Sequence, residues 1–225
     1  MEILYEDNHL IAVNKKVSEL VQGDKTGDAT LADRVKEYIR VKYKKPGEAF
    51  IGIVHRIDRP VSGVVLFART SKALTRLNEM FREQQISKKY LAIVKERPPA
   101  EEGTLVNFLK KNEEQNRSYA YPEKVKGSRE ASLSYLLIGH SNRYYLLEID
   151  LHSGRHHQIR CQLAHAGSPV KGDLKYGYSR SNEDGGISLH ARSLSFVHPV
   201  TKEKILIKAP LPGNDIWPLF AGMVK

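Results

Sequence analysis

The sequence predicts an α+β fold: a mixed, largely antiparallel sheet flanked by helices. Strand-length apolar or alternating stretches outnumber the helical patterns. They come in runs, without the strict strand–helix alternation that parallel βαβ units require. The 225 residues are enough to bury a sizeable core without metals or disulfides.

Taken in order, Thr30 is a good N-cap, with Asp33 three residues later and Leu31, Val35, Tyr38 and Ile39 on one helix face. Gly63 to Ala68 is a short apolar run, the mark of a buried strand. Ser71 opens a second helix, with Leu74, Leu77 and Phe81 facing inward. Tyr90 to Val94 reads as another buried strand. The polar stretch from Lys110 to Glu130 has no hydrophobic pattern, which predicts an exposed hairpin or loop and the softest boundary in the chain. Tyr145, Leu147, Ile149 and Leu151 alternate with Tyr144, Leu146, Glu148 and Asp150, a longer strand. His156 to His165 predicts a third helix, stopped by Gly167. Leu189 to Phe196 is a strand ended by a turn at His198-Pro199, and Ile205 to Ile207 is the last. No repeat or long linker divides the chain, so one domain over residues 1–225 is expected.

Lys plus Arg number 36 against 26 Asp plus Glu, a formal balance of +10. A compact basic protein attracts polyanions, although charge alone does not separate a nucleic-acid partner from a merely basic protein. The single cysteine, Cys161, allows no disulfide within a monomer and fits a reducing cytosol. The N-terminal apolar stretch is too short for a signal peptide, and no apolar run approaches membrane-spanning length.

Four segments carry chemistry. In VHRIDRPVSGVVLFARTSKAL, residues 54–74, a lone carboxylate, Asp58, stands between Arg56 and Arg59, ahead of Pro60 and of Gly63 at the mouth of the buried strand. Neighbouring cations keep such a carboxylate ionised as a nucleophile or base; a surface ion-pair loop has the same composition. In LHSGRHHQIRCQLAHAG, residues 151–167, Arg155 and Arg160 flank a helix start, a pattern suited to an anion. His157, Cys161 and His165 share one face of that helix and imitate a metal site. Zinc draws ligands from more than one element, and there is no CxxC or HExxH, so no metal is expected and Cys161 reads as a packed thiol. In ISKKYLAIVKE, residues 86–96, Lys88 and Lys89 precede Tyr90, an aromatic beside two cations that suits a base and its phosphates. In ISLHARSLSFVHPVTKEK, residues 187–204, Leu189 opens a strand.

Together and in order, these strings resemble the RluA-type pseudouridine synthases over nearly the whole chain. HRID followed by SG, VVLFA and RT is similar to that family's catalytic signature, KKYLAIV to its tyrosine motif, GRHHQIR with LAHAG, PVKGD and KYG to its arginine motif, and SLHARSLSFVHPVT to its C-terminal signature. The opening ILYEDNHLIAVNKK is similar to the family's first hairpin. Lys15-Lys16 departs from the usual Lys-Pro, and Val61 and Ser153 stand where threonine is common. No segment corresponds to the N-terminal S4-like RNA-binding domain of many relatives.

The resemblance implies the pseudouridine synthase catalytic fold with a central active-site cleft, an RNA substrate that is ribosomal or transfer RNA, no cofactor, and a monomeric cytoplasmic enzyme. It implies that Asp58 acts on ribose or uracil after the uridine is flipped from its stack, that Arg160 pairs with the aspartate, and that Tyr90 stacks on the base. It makes Leu189 the apolar wall of the uracil pocket and Arg56 the residue that enters the vacated stack. Arg155, Lys88, Lys89 and Arg59 are candidates for gripping the RNA backbone. A glycosidase needs two carboxylates where the signature loop carries one. A non-enzymatic RNA-binding module explains the charge equally but not an acidic residue on the binding surface. A metal-dependent nuclease lacks its carboxylate or histidine cluster.

Overall fold

The computed structural model describes residues 1–23 and 27–224. In chain order the elements are β1 (Glu2–Glu6), β2 (Leu10–Lys15), α1 (Leu31–Lys42), β3 (Gly52–Ile53), β4 (Ser62–Ala68), α2 (Ser71–Arg82), β5 (Ser87–Val94), β6 (Glu102–Asn112), β7 (Arg117–Tyr121), β8 (Arg129–His140), β9 (Tyr145–Leu151), α3 (Gln158–His165), β10 (Leu189–Val197) and β11 (Lys204–Lys208). Short 3-10 turns cover Leu174–Tyr176 and Trp217–Met223. The α+β class is the one expected, with far more strand than helix. The chain forms two compact units, one of residues 1–86 and 193–210, the other of residues 87–192 and 211–225.

In the first unit, β1 and β2 form an antiparallel hairpin, and β2 pairs antiparallel with β4. Asp7 closes the hairpin: its Oδ1 accepts from the His9 and Leu10 N–H groups, each at 2.7 Å. Every residue of β4 is buried, as its unbroken apolar run requires of a strand covered on both faces. Val64, Leu66 and Ala68 pack with Leu10 and Ala12 of β2, Ala73 and Leu77 of α2, and Leu194 and Phe196 of β10. Beyond β10, His198 Nδ1 accepts from the Val200 and Thr201 N–H groups, so the turn into β11 is tied by its own histidine. Helix α1 begins where expected. The Thr30 hydroxyl accepts from Asp33 N–H at 3.1 Å, and Asp33 accepts from Thr30 N–H at 3.2 Å, a reciprocal capping box.

In the second unit the strands run in the order β5-β9-β8-β6-β7, each pair antiparallel. The polar stretch is a β-hairpin: β6 pairs with β7 from Phe108↔Tyr121 to Asn112↔Arg117. It lies inside this unit and forms no boundary. Its inner face is covered by α3, where Leu109 and Ala131 pack with Cys161 and Tyr176. The helix is shorter than expected and starts at Gln158, because His157 takes a left-handed conformation (φ 52°) as its N-cap. The C-terminal segment returns to this unit, where Trp217 and Phe220 pack on Leu91, Ile93 and Leu146. The buried Lys171 ammonium holds it there, 2.8 and 2.9 Å from the two Asp215 carboxylate oxygens.

Removing the capping box by Thr30→Ala is expected to lower stability by about 1 kcal/mol, a fall of roughly 2–4 °C in Tm for a chain of this size. Thermal unfolding checks this; an unchanged Tm would show that the box adds nothing beyond the packing of Val35 and Ile39.

Candidate active site

Asp58 sits in a loop of the first unit between β3 and β4, and that loop is held along its length. The antiparallel register Gly52↔Ala68, Ile53↔Phe67 is extended by a side chain: His55 Nε2 accepts from Leu66 N–H at 2.9 Å, and its ring stacks on Phe81 at 4.9 Å. Ile57 and Val61 are buried on either side of the half-buried Asp58. The Val61 N–H donates to the Asp58 carbonyl at 3.0 Å, closing a turn with Arg59 and Pro60 at its centre. Beneath the turn lies Lys15, the last residue of β2, fully buried. Its ammonium donates to the carbonyls of Lys16 (2.9 Å), Arg59 (3.0 Å) and Val61 (2.7 Å). Burial pushes its pKa down to about 8; the charges of Glu19 and Asp58 pull it up, and Arg59 pushes it further down.

The two arginines of the loop differ. Arg59 is a brace: its Nε donates to Ser18 O and its Nη2 to Asp28, both at 3.2 Å, while its carbonyl accepts from Ser18 N–H. Arg56 is exposed.

The remaining candidates lie in the second unit. On β5, Lys88 and Tyr90 share one face and Lys89 points to the other, as strand alternation demands. The Lys89 ammonium is 2.5 Å from Glu148 and 3.8 Å from Asp150, two acidic residues of the neighbouring β9. Lys88 runs alongside Gly154. Burial holds its pKa below the usual lysine value, and the nearby charge of Arg155 lowers it further. Arg155 is exposed and donates from Nε to Glu130 O at 2.9 Å. Ahead of α3, Gln158 Oε1 accepts from Arg155 N–H at 3.0 Å and from the Ser153 hydroxyl at 2.8 Å, which ties the segment that carries Arg155 to the helix.

Arg160 is buried, with 4% of its surface exposed. Its Nε and Nη2 donate to the two oxygens of Asp173 at 2.6 and 2.9 Å, a bidentate pair. Its guanidinium carbon lies 5.1 Å from the centre of the Tyr176 ring. Leu189, the first residue of β10, is buried.

Cys161 packs as a buried thiol, donating to Ser118 O at 3.3 Å, and burial pushes its pKa up to about 11. His157 is engaged with the Tyr176 hydroxyl at 3.0 Å and stacks on His156. Among the described residues, no group of three or more His, Cys, Asp or Glu side chains stands together to hold a metal.

Lys15, His55, Asp173 and Tyr176 escaped the sequence reading. A signal existed for Lys15: it ends a strand whose preceding apolar residues, Leu10 to Val13, show no polar face. A signal for the other pair was an aspartate fixed between glycines and an aromatic in KGDLKYG.

Residues 9–165 match the family described as RNA pseudouridylate synthase. The tRNA pseudouridine synthase C of Vibrio parahaemolyticus is 29% identical, the alignment covering 96% of this chain and 92% of that protein. The ribosomal large subunit pseudouridine synthase D of Xylella fastidiosa is 33% identical over 99% of this chain and 69% of that one. Among solved structures, human RNA pseudouridylate synthase domain containing 4 superposes with a TM-score of 0.78 at 21% identity, covering 94% of this chain and 89% of that one, a likeness of fold. Its motifs, its fold and these relatives agree: the chain belongs to the RNA pseudouridylate synthase family and is an RNA pseudouridine synthase.

Proposed function

We propose that this synthase isomerises uridines in structured ribosomal or transfer RNA, as a monomer in the cytosol, with Asp58 as its reacting carboxylate. The observation that carries the reading is the anchoring of the Asp58 turn by the buried Lys15 ammonium. A carboxylate that must meet one atom of a flipped nucleotide gains most from a backbone that cannot drift. The relatives named above act on transfer RNA and on the ribosomal large subunit, which supports both substrate classes. Tyr90 stacks on the base and serves the proton transfer, Leu189 walls the uracil, Arg160 serves the aspartate, and Arg56 enters the vacated stack. Lys88 and Arg155 grip the backbone. Lys89 is a weaker choice, since its ammonium is engaged by Glu148 and Asp150. Mapping pseudouridine in total RNA with and without the gene tests the substrate class; an unchanged map overturns it.

Asp58→Asn is expected to abolish pseudouridine formation while RNA affinity and fold persist. Turnover retained within tenfold of wild type, a barrier difference below about 1.4 kcal/mol, would remove Asp58 from the chemistry.

A pH dependence follows from Lys15. Its ammonium discharges at about pH 8 in the fold and at about 10.4 in the unfolded chain. Between these values the unfolded chain holds more protons, so the Lys15 contribution to stability grows as pH rises. Yet a neutral amine has only two N–H groups for the three carbonyls it serves. Turnover is therefore expected to fall above about pH 8 without loss of fold. Lys15→Met should be slower throughout and lack that limb; the same limb in both proteins would place the ionisation elsewhere.

Binding should separate the two lysines of β5. Lys88→Ala is expected to weaken RNA binding and flatten its logarithmic salt dependence by roughly 0.7, one phosphate contact on a single strand. Lys89→Ala should leave the slope in place. Equal flattening would show that Lys89 leaves its carboxylates to meet RNA.

A further inference from the structure

Arg160 is held by Asp173 and Tyr176, in the KGD and KYG that follow GRHHQIR, and the chemistry proposed above gives these two residues no task. Asp173 and Tyr176 are the ends of one 3-10 turn: Asp173 O accepts from Tyr176 N–H at 3.1 Å and from Tyr178 N–H at 3.0 Å. Side chains three apart on such a turn eclipse one another, so the carboxylate and the ring meet the same guanidinium. The turn is set by Gly172, whose φ is +86° and where a Cβ would come within 2.5 Å of Asn182 Oδ1. Tyr176 is fixed at its far end too. Its hydroxyl accepts from Ser118 N–H at 2.8 Å and lies 3.0 Å from His157 Nδ1, at the start of the helix that carries Arg160.

We propose that Asp173 and Tyr176 are positioning residues of the isomerisation, fixing the plane and the direction of the Arg160 guanidinium. The inference rests on the reading that Arg160 serves the reaction. The bidentate pair sets rotation within the guanidinium plane, and the aromatic ring restrains tilt out of it. Asp173 takes the Nε–Nη2 edge, so any further anion that Arg160 serves is met through the Nη1 end. With Asp173 at 1% exposure and Arg160 at 4%, this is a buried ion pair. Such pairs are weak devices for stability, because apolar residues of the same volume commonly do as well. Their geometry is what cannot be replaced by apolar packing.

The test uses the full chain, with RNA labelled by tritium at uridine carbon 5 as substrate, since that hydrogen leaves when the new bond forms. Single-turnover rate, RNA Kd and thermal unfolding are measured for Asp173→Asn, Arg160→Ala and the double variant. Asp173→Asn is expected to slow turnover at least about a hundredfold with Kd within about threefold of wild type, and the double variant to be no slower than Arg160→Ala, as residues acting through one another are not additive. Losses that multiply in the double variant, or an Asp173→Asn protein with wild-type turnover, overturn the inference while leaving Arg160 in its role. An active Arg160→Ala protein instead removes the role of Arg160 itself. Should Asp173→Asn not fold, Tyr176 decides. Tyr176→Phe, which keeps the ring, is expected to lose about threefold and Tyr176→Leu at least about thirtyfold, again at unchanged Kd. Equal turnover in these two folded variants overturns the inference.

Discussion

The Asp58 loop depends on one ammonium group. Lys15 ends β2 in a position with no access to water, and its charge is met by three main-chain carbonyls, two of them in the turn that carries Asp58. A buried ammonium is costly unless its N–H groups are all engaged. The same need makes it an exacting clamp, because a shift of the turn would strand both the donors and the carbonyls. A hydrophobic residue at position 15 could fill the space but could not specify where Arg59 O and Val61 O lie. The loop is pinned independently by His55, which takes the place of a strand partner for Leu66. Asp58 is thus the side chain of a loop whose backbone has little choice.

The second unit solves a related problem with amides. Helix α3 buries Gln158 and Gln162 along with Arg160. Gln162 Nε2 reaches Leu105 O, Asn107 Oδ1 and Ala131 O, and its Oε1 accepts from Gln158 Nε2. Gln158 Nε2 also reaches Ser132 O, and its Oε1 accepts from Arg155 N–H ahead of the helix. Satisfied polar networks in a low-dielectric interior tolerate few alternative arrangements. A helix attached by apolar contacts alone could slide; one attached through directional amides has its register, and the place of Arg160, set.

This difference explains what the sequence disclosed. Buried strands built from branched apolar residues, such as Val64 to Phe67, and a helix announced by Thr30 and Asp33, were legible from composition and spacing. The β6–β7 hairpin reads only as an exposed hairpin or loop, because the covered part of its polar stretch is made of Ser118 and Ala120, near Cys161 and Ala164. Small and polar residues bury without writing a hydrophobic period. The start of α3 is hidden for another reason: a histidine in a left-handed conformation has no sequence signature, and the Tyr176 hydroxyl that it meets is distant in the chain. Lys15 and Asp173 look like surface charges in a sequence, since their partners are backbone carbonyls or an arginine elsewhere in the chain.

Adjacent residues on a strand cannot share a task that needs one surface. Lys88 and Lys89 are alike in composition and in their contribution to the net charge, yet the pleat sends them to opposite faces. One runs beside Gly154 under the influence of Arg155, and the other is neutralised by Glu148 and Asp150. Of two cations that are equivalent in a motif, only Lys88 shares the face of Tyr90, so a nucleotide stacked on that ring, as proposed above, would find Lys88 and not Lys89 beside it. A net charge of +10 therefore measures how strongly a polyanion is drawn in, while the alternation of side chains along β5 decides which of the charges it finds there.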